Sequence, residues 1–183
     1  MPSPVGHLLA GVATSWIAER IPQPSAPRAS SVRWTAACAF LAASPDLDLL
    51  FSAPHRTVTH SVGAALLVTI IAGAVTGWVT GRISWRVALT GGAAYASHIL
   101  LDWLGSDPNP PAGIQAFWPF TLAWYISPWT VFPITERRHF FTATALATNV
   151  RAILTEVAIM APLMLVLGWA RGSTWKSRIR NRD

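Results

Sequence analysis

Apolar residues fall into five stretches along the chain, separated by polar or proline-rich connections. The length and spacing of these stretches predict helices. The predicted helices are Val5–Ala18, Val32–Ser44, a stretch from Ser61 to the turn at Gly81, about Ser84–Leu104, and a last one from near Asn149 to the basic tail. The first predicted helix ends at a proline-containing loop, Ile21–Ala29, and the second ends at Pro45. The pattern predicts an all-α fold in which residues 105–150 form a long loop.

Two of these stretches are apolar enough to cross a membrane. Ser61–Gly81 carries no ionisable side chain, and Ala152–Ala170 carries only Glu156. A bilayer core takes roughly 20 apolar residues, and a soluble chain of 183 residues is too small to enclose several such helices. The sequence therefore predicts a polytopic helical membrane protein with about five apolar helices. The first two are short for full spans, which indicates that one of them is tilted or only partly inserted.

The composition supports the membrane class. Hydrophobic residues make up 52% of the chain and charged residues 12%, against roughly 25% charged residues in soluble domains. Cys38 is the single cysteine, so an intrachain disulfide is excluded, and its apolar surroundings predict a small core side chain. Because the N-terminus has no positively charged segment, we expect no cleaved signal peptide.

The net charge of +6 is concentrated at the C-terminal end, where five of the fourteen Lys and Arg residues follow Ala170. This predicts a single membrane domain over residues 1–172 and a basic cytoplasmic tail over 173–183, with no binding of nucleic acid. If all five helices cross the membrane, ten basic residues lie on the same side of it as the C-terminal tail and four lie on the opposite side. The ten are Arg20, Arg28, Arg33, Arg82, Arg86, Arg171, Lys176, Arg178, Arg180 and Arg182; the four are Arg56, Arg137, Arg138 and Arg151.

If successive helices cross the membrane in opposite directions, the ionisable residues also lie together at the outer ends of the helices. These residues are His7, Asp46, Asp48, His55, His60, His98, Asp102 and Glu156. His98 and Asp102 are four apart on one helix and share a face. Asp46 and Asp48 point the same way if their segment is extended. Taken singly, these could be a hydrogen-bonded helix end and a solvated turn; His139, beside Arg137, is interpreted as part of a solvated loop.

Together, these residues favour a metal site at one membrane face. A mixture of His and Asp without Cys suits a hydrolytic Zn²⁺, Mn²⁺ or Fe centre, in which bound water becomes a nucleophile. Arg56 with His55 is predicted to bind a phosphate, and Asp48 or Glu156 to accept a proton. The aromatic residues between Gln115 and Phe132 are interpreted mainly as an anchor in the headgroup zone.

The motifs occur in an order that resembles the LexA-binding, inner-membrane-associated hydrolases, the YdjM-type membrane-bound metal-dependent hydrolases. The matching segments are Gly6-His7, Pro45-Asp46-Leu47-Asp48, His55-Arg56-Thr57-Val58-Thr59-His60-Ser61, Ser97-His98-Ile99-Leu100-Leu101-Asp102 and Trp118-Pro119-Phe120. The resemblance spans residues 6–120. It implies a metal-dependent hydrolase of the bacterial inner membrane and names no substrate.

A more distant resemblance is to zinc-dependent phospholipase C and P1-type nucleases. Those enzymes share an early helical His, an Asp followed by a His fourteen residues later, and a His-x-x-x-Asp pair. By this resemblance Asp46, His60, His98 and Asp102 would hold one metal ion, with Asp102 bridging to a second held by His7. The later His-x-x-x-Glu pair of those enzymes is missing here, so we expect one or two ions.

These observations predict a membrane-embedded hydrolase that acts on a phosphoester, either a small molecule or one linked to lipid. Two alternatives remain open at this stage. One is a non-catalytic carrier that binds metal ions or protons within the membrane. The other is an interaction protein, as the LexA-binding label of the resembling family suggests. A carrier should place ionisable residues at several depths, whereas this sequence gathers them at one rim.

Overall fold

Five α-helices and two short 3-10 helices form the described part of the chain, a computed structural model that describes residues 1–21, 32–50, 55–137, 139 and 141–180. The helices are α1 (Pro4–Ala18), α2 (Val32–Ala43), a 3-10 helix (Ser44–Leu50), a 3-10 helix (Val58–His60), α3 (Val62–Thr80), α4 (Trp85–Trp103) and α5 (Ala143–Arg180). These residues contain two isolated β-bridges and no strand. The predicted all-α fold is confirmed.

Serine residues begin three of the helices. The hydroxyl groups of Ser3, Ser61 and Ser84 accept hydrogen bonds from the first free amides of α1, α3 and α4, which satisfies donors that the helix itself leaves without acceptors. After α3, Gly81 adopts a left-handed conformation with φ 71°, which a residue without Cβ adopts at little cost. These signals fix both ends of α3 and the antiparallel turn into α4.

Helix α4 is the centre of the bundle and packs against α1, α2 and α3. Helix α1 packs in turn against α2 and α5. The contact between α1 and α2 is close because Gly11 has no side chain: a Cβ atom there would overlap the backbone of Cys38. Cys38 is fully buried at this contact, so its prediction as a small core residue is confirmed.

Among the described residues, α3 and the Ala143–Gly172 part of α5 are long and apolar enough to cross a membrane. Only 11% of the apolar window of α3 is buried within the protein. A core helix of a soluble protein would be mostly buried, so this exposed apolar surface fits contact with lipid. The prediction of about five apolar spanning helices is not confirmed, because α1 and α2 have 15 and 12 residues and α4 does not meet the same criterion.

The last helix differs from its prediction at both ends. Helix α5 begins at Ala143 rather than near Asn149, because the Thr142 hydroxyl accepts a hydrogen bond from the Ala145 amide and supplies an N-cap. It continues to Arg180, so its backbone is helical through most of the segment predicted as a tail. Most of the predicted loop Ile21–Ala29 lies outside the described residues.

The connection between α4 and α5 is tied down at several points. Gly105 pairs with Phe132 and Ile114 pairs with Tyr125 in the two β-bridges. The amide of Val62, the first residue of α3, donates to the carbonyl of Ala116 at 2.8 Å. The connection therefore covers the end of the bundle at which α3 begins.

Candidate metal centre

Five ionisable side chains from four segments meet at one end of the bundle. His7 comes from the second turn of α1, and Asp46 from the 3-10 helix that follows α2. His60 ends the 3-10 helix before α3, while His98 and Asp102 share a face near the end of α4. Because consecutive helices are antiparallel, the start of one helix and the end of the next lie side by side. The structure thus brings together the five residues predicted as metal ligands.

Four of their atoms form a ring, in the order Asp46 Oδ1, His60 Nε2, Asp102 Oδ2 and His98 Nε2. Neighbouring atoms around this ring are 3.5, 3.5, 3.3 and 3.7 Å apart. Ligands that bind one zinc ion tetrahedrally at roughly 2.0–2.1 Å lie about 3.4 Å from one another. The spacing around the ring is close to that of atoms that share one small cation.

The second oxygen of Asp102 faces the remaining histidine. Asp102 Oδ1 lies 3.5 Å from His7 Nε2, and the His7 ring stacks on the His98 ring with centroids 3.7 Å apart. His7, Asp46 and His98 also each offer one ligand atom within 4.8 Å of the others. Asp102 is therefore oriented to contact two neighbouring positions, one inside the ring and one beside His7.

These side chains are buried, and most of their metal-facing atoms have no hydrogen-bond partner. In the described residues, eight buried side-chain nitrogen or oxygen atoms lack a partner, and Trp16 Nε1 is the only one outside the cluster. The others are both ring nitrogens of His7, Asp46 Oδ1, His60 Nε2, His98 Nε2 and both carboxylate oxygens of Asp102. A buried polar atom without a partner costs roughly 1–3 kcal/mol, and coordination of a cation would remove this cost.

Hydrogen bonds on the far side of two rings orient them toward the cluster. The Nδ1–H of His98 donates to the carbonyl of Ala42 at 2.8 Å. Nδ1 of His60 lies 2.9 Å from the hydroxyl of Thr59 and 3.4 Å from Asp48 Oδ2. A proton held at Nδ1 leaves the Nε2 lone pair free to bind a metal ion. Both rings therefore present the nitrogen that coordination requires.

The charges in the cluster favour a cation. Burial alone would raise the pKa of the Asp46 carboxyl, but the nearby His60 and His98 lower it. Burial also opposes a charged His60, yet the nearby Asp46 and Asp48 carboxylates outweigh that effect and raise its pKa to about 9. The carboxylates thus stabilise positive charge at the centre of the cluster.

Asp48 lies behind the histidines rather than in the ring. Its Oδ1 accepts from Nδ1 of His55 at 2.7 Å, and its Oδ2 accepts from the Thr59 hydroxyl at 2.7 Å. Burial would raise the pKa of Asp48, but the hydrogen bonds from His60, Thr59 and His55 lower it well below its usual range. Asp48, predicted as a proton acceptor, is positioned as an ionised group that orients His55 and His60.

Arg56, which is predicted to bind a phosphate, forms its contacts with the long connection between α4 and α5. Its guanidinium forms an ion pair with Asp107, and its backbone carbonyl accepts from the amide of Gln115 at 3.0 Å. Asp107 also accepts from the amide of Gly113. These contacts join the segment before α3 to the long connection, so Arg56 orders the loop. The sequence pattern held no signal for Asp107, which lies in that loop.

Glu156, the other predicted proton acceptor, binds the start of α1 instead of the cluster. Its carboxylate accepts from the amide and the hydroxyl of Ser3 and from the amide of Gly6, at 2.6 Å and 3.1 Å for the two amides. A Cβ atom on Gly6 would lie 2.8 Å from Glu156 Oε2, so a larger residue there would displace this carboxylate. Glu156 acts as a cap for α1, where a carboxylate is stabilised by the helix dipole.

Arg137 reaches the cluster, although the sequence alone suggested a solvated loop residue. Its Nη1 donates to His55 Nε2 at 2.9 Å, and its Nη2 lies 3.8 Å from Asp46 Oδ2. One feature of the sequence pointed to this position: Arg137 is predicted to lie on the side of the membrane that holds few basic residues. His139, which was left out of the predicted site, is exposed.

A family model described as YdjM inner membrane protein matches residues 1–174. The match includes every residue of the cluster and all but the end of α5. No curated protein and no solved structure matches the chain. The family description supports a place in the inner membrane, and it contains no reference to LexA binding or to hydrolysis.

Proposed function

We propose that this chain, which belongs to the YdjM inner membrane protein family, is a metal-dependent hydrolase that acts on a phosphoester at one face of the membrane. The observation that carries the proposal is the group of buried, partnerless ring nitrogens and carboxylate oxygens that face one another at 3.3–3.7 Å. His7, Asp46, His60, His98 and Asp102 would hold one or two divalent ions. Zinc is favoured by the mixture of nitrogen and oxygen ligands, and Mn²⁺ or Fe are the alternatives.

A catalytic centre fits these residues better than a structural one. Structural zinc sites are closed and mostly use Cys, whereas Cys38 lies between α1 and α2 and the cluster uses only His and Asp. The cluster is also open on one side. Asp46 and His55 have 15% and 18% of their side chains exposed, while His7, His60 and His98 are fully buried. A substrate could therefore reach the ions past Asp46 and His55.

A bound divalent ion would lower the pKa of a water molecule and so supply a nucleophile at neutral pH. The protein's own residues would then fix the geometry. His60 and His98 are held by their Nδ1 hydrogen bonds, and Asp102 can contact two ions at once. Asp48 keeps His60 in the required tautomer. Such positioning is the main contribution of a protein to metal-assisted hydrolysis.

The depth of the cluster favours a substrate that is attached to lipid. Helix α3, whose apolar surface is exposed, begins two residues after His60. The connection that covers this end exposes Phe117, Phe120 and Trp129, which suits the headgroup region of a bilayer. The reacting groups would thus lie at the level of lipid headgroups.

We further propose that all five helices enter the membrane, with the C-terminus in the cytoplasm and the cluster on the outer side. The ten-to-four distribution of basic residues supports this orientation. The short α1 and α2 would be partly inserted and packed against α4, which shields them from lipid. The ion pair between Glu19 and Arg171 would then lie at the cytoplasmic end.

The first test is a count of metal ions in the detergent-purified protein. After treatment with a chelator and reloading with Zn²⁺, we expect one or two ions per wild-type chain and well below one in His98→Ala. His139→Ala is the matched control, because this histidine is exposed and outside the cluster, and it should keep the wild-type content. Equal metal content in folded His98→Ala and wild type would refute the proposed centre.

The second test separates a hydrolase from a carrier. The metal-loaded protein is assayed against phosphomonoesters, phosphodiesters and lipid-linked phosphates, with His98→Ala as the inactive control. Turnover that depends on both metal and His98 supports hydrolysis. Metal binding without turnover of any of these substrates, together with metal uptake into vesicles that contain the protein, would favour the carrier.

A further inference from the structure

Arg137 is the basic residue that the described part of the structure brings into contact with the rim of the metal centre. Its guanidinium bridges two rim residues, through Nη1 to His55 and Nη2 to Asp46. It is also the most exposed member of this group, with 34% of its side chain accessible. Arg137 therefore lies on the side of the cluster on which Asp46 and His55 are partly exposed.

The position of Arg137 is fixed from two directions. On the side of the cluster, Nδ1 of His55 is bound to Asp48 at 2.7 Å, so that Nε2 of His55 is the acceptor for Arg137. On the side of the chain, the Asn149 side chain in α5 binds both backbone groups of Glu136, accepting from its amide at 2.7 Å and donating to its carbonyl at 2.9 Å. The guanidinium is therefore held in place before any ligand arrives.

The charge of the loaded centre leaves a role for this residue. With two divalent ions bound, the ions and Arg137 would carry five positive charges against the three negative charges of Asp46, Asp48 and Asp102; with one ion the charges would balance. A centre with two ions would therefore attract an anion such as phosphate. A guanidinium also offers paired N–H donors whose geometry fits two phosphate oxygens, which a lysine ammonium does not.

We propose that Arg137, aligned by His55, is the phosphate-binding residue of the metal centre. This inference rests on the proposed phosphoester hydrolysis and assigns its anion subsite to Arg137 in place of Arg56. His55 is a positioning residue in this arrangement, because it contacts Arg137 and Asp48 and not the substrate. The ligand class is a phosphate or phosphoester dianion, whether free or part of a lipid headgroup.

Inorganic phosphate is the probe for this subsite. Its dissociation constant is measured by calorimetry on the zinc-loaded protein in detergent, for wild type, Arg137→Gln, Arg137→Lys and the control Arg151→Gln. Arg151 is an exposed residue of α5 outside the cluster. We expect about a 10- to 100-fold weaker binding in Arg137→Gln, because charge-assisted pairs with phosphate are strong. Arg137→Lys should show a smaller loss and Arg151→Gln no change.

Zinc content, measured on the same preparations, distinguishes the subsite from a structural role. We expect wild-type zinc content in all four proteins. Phosphate affinity that is unchanged in Arg137→Gln, or zinc content that falls together with phosphate affinity, would overturn the inference. Wild-type protein that binds zinc but no phosphate would overturn it as well and leave the metal centre intact. Wild-type protein that binds no zinc would defeat the proposed function itself.

If phosphate binds, lipid and free phosphate are distinguished as its source. The same titration is repeated with vesicles of phosphatidylcholine containing phosphatidic acid, against phosphatidylcholine alone. Competition of phosphatidic acid vesicles with inorganic phosphate in wild type, and its loss in Arg137→Gln, supports a headgroup ligand at this subsite. Competition that is equally strong in Arg137→Gln would show that lipid binds elsewhere and count against Arg137.

Discussion

Replacing Asp48 with Asn tests whether the residues behind the ring set the metal affinity. The change keeps the shape of the side chain and removes its charge. If the amide oxygen takes over the bond to His55, the NH₂ group faces Thr59 and Nδ1 of His60, where the carboxylate now accepts. A donor at that position favours an unprotonated Nδ1, so the proton of His60 moves to Nε2. Nε2 is the atom that a metal ion needs.

The expected size follows from this shift of the proton. Loss of an orienting partner behind a metal ligand lowers metal affinity by about 10- to 100-fold, which is roughly 1.4–2.8 kcal/mol. The zinc dissociation constant is measured in chelator-buffered titrations of Asp48→Asn, wild type and Asp107→Asn. Asp107 is an equally buried carboxylate that binds Arg56, so its replacement should lower the thermal stability and leave zinc affinity near wild type. Unchanged affinity in Asp48→Asn would refute the reasoning, and a loss as large as that of His98→Ala would make Asp48 a direct ligand.

Three further predictions follow from the contacts around the centre. Replacing Glu156 with Ala should lower the free energy of unfolding by about 2–4 kcal/mol, because three donors at the start of α1 lose a charged acceptor. The zinc content of the folded protein should stay constant, and a loss of zinc with no loss of stability would contradict this. His7→Ala should lower a content of two zinc ions to one, as counted by elemental analysis, since the ring of four remains; complete loss of zinc would show that His7 belongs to the first ion. A reporter fused after Arg182 should give a cytoplasmic signal and one inserted after Ser52 an outer-side signal, and the opposite pattern would reverse the proposed orientation.

The convergence of the candidate ligands could be predicted from the order of the helices and from local spacing. Each of His7, His60 and His98 lies near a helix end, and strict alternation of antiparallel helices brings those ends together. The His-x-x-x-Asp spacing then places Asp102 on the same face as His98. Such local rules need no knowledge of how the rest of the chain folds, which is why the sequence was informative here.

The environment of the cluster could not be predicted in the same way. Arg137 and Asp107 lie in the connection between α4 and α5, and their positions depend on backbone pairings such as Ile114 with Tyr125. No periodic pattern encodes these pairings, so neither the bond from Arg137 to His55 nor the ion pair of Arg56 could be read from spacing. The contact of Glu156 with Ser3 and Gly6 could not be predicted either, because the sequence does not show which side of α1 faces α5.

The bond between Glu156 and Ser3 has a consequence for the order in which the protein is made. Synthesis proceeds from the N-terminus, so all five residues of the cluster, the last being Asp102, emerge from the ribosome before Glu156. During that interval the first turn of α1, which leads directly to His7, lacks its acceptor from α5. The start of α1 therefore gains this acceptor only once α5 has been made, and the same helix then supplies Asn149 to the segment that carries Arg137.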